Sequence, residues 1–226
     1  MQFLYHSCAG EESITLDGEA FSYLIKVRRA KQGENLALRH LRDENLYTYC
    51  IAEIQPKKAI LLKQGQRESP TYKGGVHLLW AIIEPKVIEK TLPMLNELGV
   101  SQISFFYADY SQRQFKLSLE RMHKILINSC QQCGRSHLMK IEMLKDFAQV
   151  CEIYQDFYAF DFGGNDIKEV DFTTLPYLRV MIGAEGGFSA QERARFSKVI
   201  TSNDQLILRS ESASVLIAAL ARLRNT

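Results

Sequence analysis

The alternation of apolar and polar positions changes character once along the chain, near residue 76. Upstream, short apolar segments at residues 3–5, 35–41, 47–54 and 59–63 predict strands. Turn chemistry at Asp17-Gly18, 31–33, 43–45 and 55–58 separates several of them. Phe21, Leu24, Ile25 and Arg28 recur at helical spacing, which predicts one short helix over residues 19–28. These elements describe a small β-barrel with a single helix. Residues 66–75 (QRESPTYKGG) are polar, with Pro70 and paired glycines, and read as a linker.

From Val76 onward, buried-strand runs alternate with helical periodicity. VHLLWAII (76–83) predicts a strand; Ile88, Leu92, Leu95 and Leu98 predict a helix over 87–98, stopped at Gly99. A strand at 103–107, a helix at 117–133 and strands at 157–160 and 178–182 follow. Ser189-Ala-Gln-Glu192 is a capping box opening a helix. A strand at 205–208 and a helix at 212–223 complete the pattern. Strands alternating with helices imply an α/β layer fold with a mainly parallel sheet, so the chain divides into a barrel over 1–72 and an α/β unit over 73–226.

Composition narrows the function classes. The chain has 226 residues, 46% of them hydrophobic, with a mean hydropathy of -0.17. That excludes a disordered tail protein, and no apolar run approaches the roughly 18 residues that span a bilayer. The start MQFLYHSCAG lacks a basic segment followed by an apolar one, which argues against secretion. Five cysteines, an odd number, fit reduced thiols in a cytoplasmic protein better than a disulfide framework.

The net charge of +2 conceals opposed blocks: +5 over residues 111–145, -6 over 146–177 and +3 over 178–226. Near the N-terminus, Lys26, Arg28, Arg29, Lys31, Arg39 and Arg42 lie within seventeen positions that hold one acid, Glu34. Two basic blocks offset by an acidic one suit a polyanion-binding surface, although a single charge run is ordinarily a solvated face.

The most informative stretch is VMIGAEGGFS (180–189). An apolar strand runs directly into Gly183, Glu185, Gly186 and Gly187, then into a capped helix, so backbone can approach a ligand closely. The dinucleotide fingerprint and the phosphate-cradling loop are both absent, which disfavours nicotinamide and ATP. LILRSESAS (206–214) is a second polar turn, leading into a final apolar helix, and could complete the same pocket at the carboxyl ends of the strands.

IGAEGGFS followed by LILRSESA resembles the paired C-terminal motifs of the SPOUT superfamily of RNA methyltransferases. The similarity is greatest to the family that methylates N3 of a uridine in 16S ribosomal RNA. Ala184 stands where that family has proline, and Ser210 and Ser212 where it has threonine. NELGVSQI (96–103), YSQR (110–113), CQQCGRS (130–136) and FSYLIKVRRAKQGE (21–34) resemble further segments of the family, so the likeness covers nearly the whole chain. Met94 replaces a usual lysine, and Lys86-Val87-Ile88 stands where a K-G-D is usual.

The resemblance implies an α/β fold in two parts, a PUA-like β-barrel and a SPOUT domain tied in a deep trefoil knot. It implies S-adenosylmethionine as cofactor, a homodimer with the pocket near its interface, and 16S rRNA of the small ribosomal subunit as partner. Carried over residue by residue, Ile182, Gly183, Glu185, Gly186 and Gly187 form one wall of the cofactor site; Leu206, Leu208, Arg209, Ser210 and Ala213 form the other. Methylating N3 removes an imide proton, so Arg113 and Arg135 are candidate charge stabilisers and Glu211 a candidate acceptor. RNA phosphates fall to Lys26, Arg28, Arg29, Lys31, Arg39 and Arg42.

Other signals are discounted. Cys130, Cys133 and His137 resemble half a zinc site but lack a clear fourth ligand, so no metal is expected. Cys8 and Cys50 read as barrel fillers and Trp80 as core, while His6, His40 and His77 receive no role. A SPOUT enzyme acting on tRNA or another rRNA site, or an assembly factor without turnover, are the competing functions.

Overall fold

The computed structural model describes residues 2–71, 75–170, 178–202 and 206–224. The described chain falls into two compact units. One gathers the residues up to 71 with Ile127–Leu138; the other holds the remainder.

In the first unit, β1 (Leu4–Tyr5), β2 (Ser13–Leu16), β3 (Asn35–Arg39), β4 (Asn45–Ile54) and β5 (Ala59–Glu68) form one sheet in the order β1-β3-β4-β5-β2. β1 lies parallel to β3 and the other pairs are antiparallel. β1 and β2 remain edges, so the barrel expected from the sequence is a curled, open sheet. Register shifts at Thr48/Tyr49 and Ile51/Glu53 supply the bending. Alternate residues Tyr47, Tyr49 and Ile51 of β4 face a core with Leu16, Leu24, Leu38 and Leu61. β2 was not foreseen, because its pattern of Ser-Ile-Thr-Leu holds only two apolar residues.

The predicted helix at 19–28 exists in an altered form. One α-helical turn, α1 (Gly18–Phe21), continues as a π-helix over Ser22–Val27. The expected linker is partly strand, since Gln66, Arg67 and Glu68 pair with Tyr47, Leu46 and Asn45; residues 72–74 lie outside the described ones. Ile127–Leu138 joins this unit rather than the α/β unit assigned by a single cut after residue 72. The cause is local: Gln131 Oε1 accepts from Tyr5 N at 2.8 Å, and Cys130 packs with Phe3 and Leu41.

The second unit is built on a six-stranded, wholly parallel sheet in the order β11-β9-β10-β6-β7-β8. Its strands are β6 (Val76–Ala81), β7 (Gln102–Phe106), β8 (Lys140–Met143), β9 (Tyr158–Asp166), β10 (Leu178–Ile182) and β11 (Val199–Thr201). Every residue of β6 is buried, as expected of a central parallel strand covered on both faces. α2 (Pro85–Glu97) starts with proline in its first turn and buries Ile88, Leu92 and Leu95. Gly99, at φ 86°, follows its end. α3 spans Leu119–Cys133, and α6 (Ser210–Arg224) packs on α2, β6 and β10.

β8, α4 (Phe147–Ile153) and β11 escaped the sequence reading, being only four, seven and three residues long. The strand expected at 205–208 is absent over Leu206–Leu208, which form a loop; Gln205 lies outside the described residues.

Candidate functional site

β10 ends at Ile182, and the chain turns at once through Gly183–Gly187 into α5 (Ala190–Arg193). The turn is closed by Gly187 N donating to Ala184 O at 2.9 Å, with Gly187 at φ 70°. A β-carbon on Gly183 would lie 3.1 Å from the backbone of Gly187, and one on Gly186 would lie 3.1 Å from Tyr110 Cβ. A side chain would crowd its neighbours at Gly183 and Gly186, and at Gly187 the positive φ disfavours one. The capping box holds: Ser189 Oγ accepts from Glu192 N at 3.2 Å, and Ser189 N donates to Glu192 Oε2 at 2.9 Å.

The same carboxylate anchors a distant loop. Buried Glu192 accepts from Asp109 N at 3.0 Å through Oε1, and Ser189 Oγ donates to Asp109 Oδ2 at 2.5 Å. The YSQR segment is thereby docked on the glycine turn, with Tyr110 against Gly186. Arg113 is exposed and stacks its guanidinium 5.1 Å from the Tyr107 ring centre.

A second connection runs through the core. The fully buried Trp80 donates from Nε1 to Ser210 Oγ at 2.8 Å, and Ser210 donates to Gly183 O at 2.5 Å. One serine at the start of α6 thus ties β6 to the glycine turn. Trp80 is core, as expected, but its N–H also has a task that its apolar neighbours in sequence did not reveal.

These elements enclose a cavity of about 310 Å³ beside the middle of β9 and at the carboxyl ends of β10 and β11. Of the residues assigned to a cofactor from the sequence, Ile182, Gly183, Glu185, Gly186, Gly187, Leu206, Leu208, Ser210 and Ala213 line it. Arg209 does not. Its carbonyl accepts from Ala213 N in the first turn of α6, and its side chain is exposed. The sequence reading missed Phe160, Asp161 and Phe162 from β9, Thr201 and Ser202 from the end of β11, and Arg193. The β9 residues adjoin the end of the strand expected at 157–160, so a search there would have found them, although β9 itself runs on to Asp166. β11 gave no such signal.

Asp161 and Arg193 form a two-pronged ion pair at 2.6 and 3.2 Å, which raises the pKa of Arg193. Phe162, Leu206 and Ile207 are 66%, 78% and 79% exposed, so the cavity has an uncovered apolar rim.

None of Arg113, Arg135 and Glu211 lines the cavity. Glu211 sits half-buried in the first turn of α6. Arg135 is 4% exposed in the first unit, shares a hydrogen bond with His137 Nε2 at 3.1 Å, and has its pKa lowered by burial.

Of the six cations assigned to RNA, Lys26, Arg28, Arg29, Lys31 and Arg42 are exposed. Arg42 also donates to Ser7 O at 2.6 Å. Arg39 is a correction: it is 3% exposed, donates to Glu44 O, Asn45 O and Ser69 O, and lies over the Phe3 ring. It ties strand ends together and has no face open to a phosphate. Among the described residues no group of three or more His, Cys, Asp or Glu is placed to hold a metal, and no helix is long and apolar enough to cross a membrane.

The class is that of RNA methyltransferases, to which both units of the chain match. The family description of the RNA methyltransferase domain matches residues 68–222, and that of the RNA methyltransferase PUA domain matches residues 16–64. Ribosomal RNA small subunit methyltransferase E of Helicobacter pylori is 42% identical over 230 residues, covering 99% of this chain and 100% of the relative. The chain belongs to this family of ribosomal RNA small subunit methyltransferases.

The fold is shared more widely. A methyltransferase of Legionella pneumophila, solved with S-adenosylmethionine, superposes with a TM-score of 0.84 at 22% identity, over 98% of this chain and 97% of that one. The small subunit methyltransferase E of Neisseria gonorrhoeae, also bound to S-adenosylmethionine, gives 0.82 at 18% identity, over 99% and 97%.

Proposed function

We propose that this protein transfers a methyl group from S-adenosylmethionine to N3 of a specific uridine in 16S rRNA of the small ribosomal subunit, as a cytoplasmic homodimer. The observation that carries the reading is the cavity built from the Gly183–Gly187 turn and the Leu206–Ala213 segment, in a chain aligned end to end with a small subunit methyltransferase. Its lining suits the cofactor. Ile182, Leu206, Leu208 and Ala213 offer apolar contact for a planar heterocycle, and Glu185 offers a carboxylate to hydroxyl or ammonium groups. The missing side chains at Gly183 and Gly186 keep the backbone accessible.

Bound there, S-adenosylmethionine supplies an already activated methyl carbon. The protein's remaining work is to position N3, exclude water and manage the imide proton. Arg113, carried on the loop docked by Asp109 onto Ser189 and Glu192, is the group we assign to stabilising charge that develops on the uracil. Glu211 is the group we assign to accepting the proton. Arginine stays protonated and cannot take that part. Burial of Arg135 supports a positioning role for it in place of direct contact. The exposed rim of Phe162, Leu206 and Ile207 is consistent with cover by a second copy of the chain. A β-carbon on Gly164 would lie 2.4 Å from Val199 C, so β11 packs on β9 backbone to backbone there.

Mass spectrometry of 16S rRNA from a strain lacking the gene tests the reading. One uridine should lose its N3 methyl group and regain it on complementation. Full methylation in the deletion strain removes the substrate assignment. Calorimetry with S-adenosylmethionine should give a binding heat; its absence would favour the assembly factor.

A further inference from the structure

The buried carboxylate of Glu192 does more than a helix cap requires. A capping box uses one side-chain oxygen at the third helical position, and glutamine supplies it as well as glutamate does. Here Oε2 accepts from Ser189 N at 2.9 Å as the cap, while Oε1 accepts from Asp109 N at 3.0 Å, 83 positions away. At 3% exposure the side chain has left water to make these two bonds. Glutamine cannot replace it in both places, because its amide nitrogen would meet an N–H donor at one of them.

The segment that Glu192 holds is closed on itself. Beyond the end of β7, Ser111 N donates to Ala108 O at 3.0 Å and Ala108 N to Ser111 Oγ at 3.1 Å. Phe115 N donates to Gln112 O at 3.0 Å, and Tyr107 Oη to Phe115 O at 2.6 Å. Arg113 rides on this loop, over the Tyr107 ring. Three contacts join the loop to the glycine turn and α5: Asp109 N to Glu192, Ser189 Oγ to Asp109 Oδ2, and Tyr110 against Gly186. Of the side chains that make them, Glu192 alone is buried.

Building on the methyl-transfer reading, we infer that Glu192 is a positioning residue for the reaction, fixing Arg113 relative to the wall of the S-adenosylmethionine pocket. The Gly183–Gly187 turn is that wall, and Glu192 caps the helix that follows it. One carboxylate thus sets the loop that carries Arg113 by the turn that lines the pocket. The turn has bonds of its own, from Gly187 N to Ala184 O and from Ser210 Oγ to Gly183 O, so it keeps its shape without Glu192. The loop, released from Oε1, stays folded on itself but is free to shift as a body. Arg113 then meets the charge on the uracil from a displaced position, and a misplacement of about 1 Å lowers a rate about 100-fold.

The test is methyl transfer by the full chain from radiolabelled S-adenosylmethionine to small ribosomal subunits from a strain lacking the gene. Glu192→Gln should lower kcat about 10- to 100-fold. KM for the subunit and S-adenosylmethionine affinity, the latter by calorimetry, should each change less than about threefold. In a double-mutant cycle with Arg113→Ala, Glu192→Gln should add no more than about a twofold loss, because the group it positions is gone. A helix cap alone predicts parental kcat for Glu192→Gln, and that result would overturn the inference. So would a parallel fall in cofactor affinity, or equal fold losses with and without Arg113. Asp109→Ala, at an exposed position, removes the bond from Ser189 without disturbing the core. It should lower kcat about 3- to 10-fold with the same dependence on Arg113. If Glu192→Gln does not fold, Asp109→Ala decides, and parental kcat in it would overturn the inference. An unaltered chain that transfers no methyl group would instead remove the proposed function, so the parent tells the two failures apart.

Discussion

Replacing Ser210 with alanine tests the link between the core and the pocket. The serine accepts from Trp80 Nε1 at 2.8 Å and donates to Gly183 O at 2.5 Å. Removing Oγ leaves a fully buried indole N–H without an acceptor, which costs about 1–3 kcal/mol. Gly183 O borders the cavity, where water can replace the lost donor, so the expected total is about 2 kcal/mol rather than twice that range. For a chain of this size that is a fall of about 4–8 °C in unfolding temperature. Trp80 is the only tryptophan, so its fluorescence during urea or thermal unfolding reports the affected unit directly. Affinity for S-adenosylmethionine should fall as well, because Gly183 loses the bond that sets its carbonyl. Ser210→Thr keeps the hydroxyl and should retain most of both properties. A Ser210→Ala protein within 0.5 kcal/mol of the parent, or strict additivity with Trp80→Phe in a double-mutant cycle, would refute the reasoning.

Arg39→Ala should destabilise the first unit by about 2–4 kcal/mol, since three backbone carbonyls lose a donor, yet leave the RNA affinity of the folded protein unchanged. Arg28→Glu with Arg29→Glu should show the opposite pattern in denaturation and RNA-binding assays: near-normal stability, and RNA affinity reduced 10-fold or more at low salt. Gly183→Ala, placing a β-carbon 3.1 Å from the Gly187 backbone, should reduce S-adenosylmethionine affinity at least 10-fold by calorimetry. His77 is buried with Nε2 2.8 Å from Ser104 Oγ, and burial, aided by Arg179, lowers its pKa from 6.5 to about 4. The unfolded chain takes up this proton below about 6.5 and the folded chain only below about 4, so stability is full above 6.5 and falls between them. The loss is on the order of 3 kcal/mol, and His77→Gln should flatten that part of the stability curve against pH.

Part of this protein was legible from the amino-acid order. The mainly apolar runs VHLLWA and LRVMI call for burial, and they appear as β6 and β10 in the parallel sheet. The capping box at Ser189 and the glycines before it are local chemistry, and local chemistry survives into the fold. The individual residues that face the cavity were named through the resemblance to the SPOUT superfamily, and the cavity is lined by nearly all of them.

Tertiary structure alone decided the rest. Arg39 and Arg28 are alike in sequence, but strand pairing turns one toward three carbonyls and leaves the other in solvent. Leu206 and Ile207 carry the apolar signature of a strand, yet the fold leaves them in an exposed loop at the cavity rim. Trp80 and Ser210 are 130 positions apart, and so is the bond between them. Sequence patterns register what a residue requires of its immediate neighbours. Which distant partner meets that requirement is set by how the strands are ordered, and that order is a property of the folded chain as a whole.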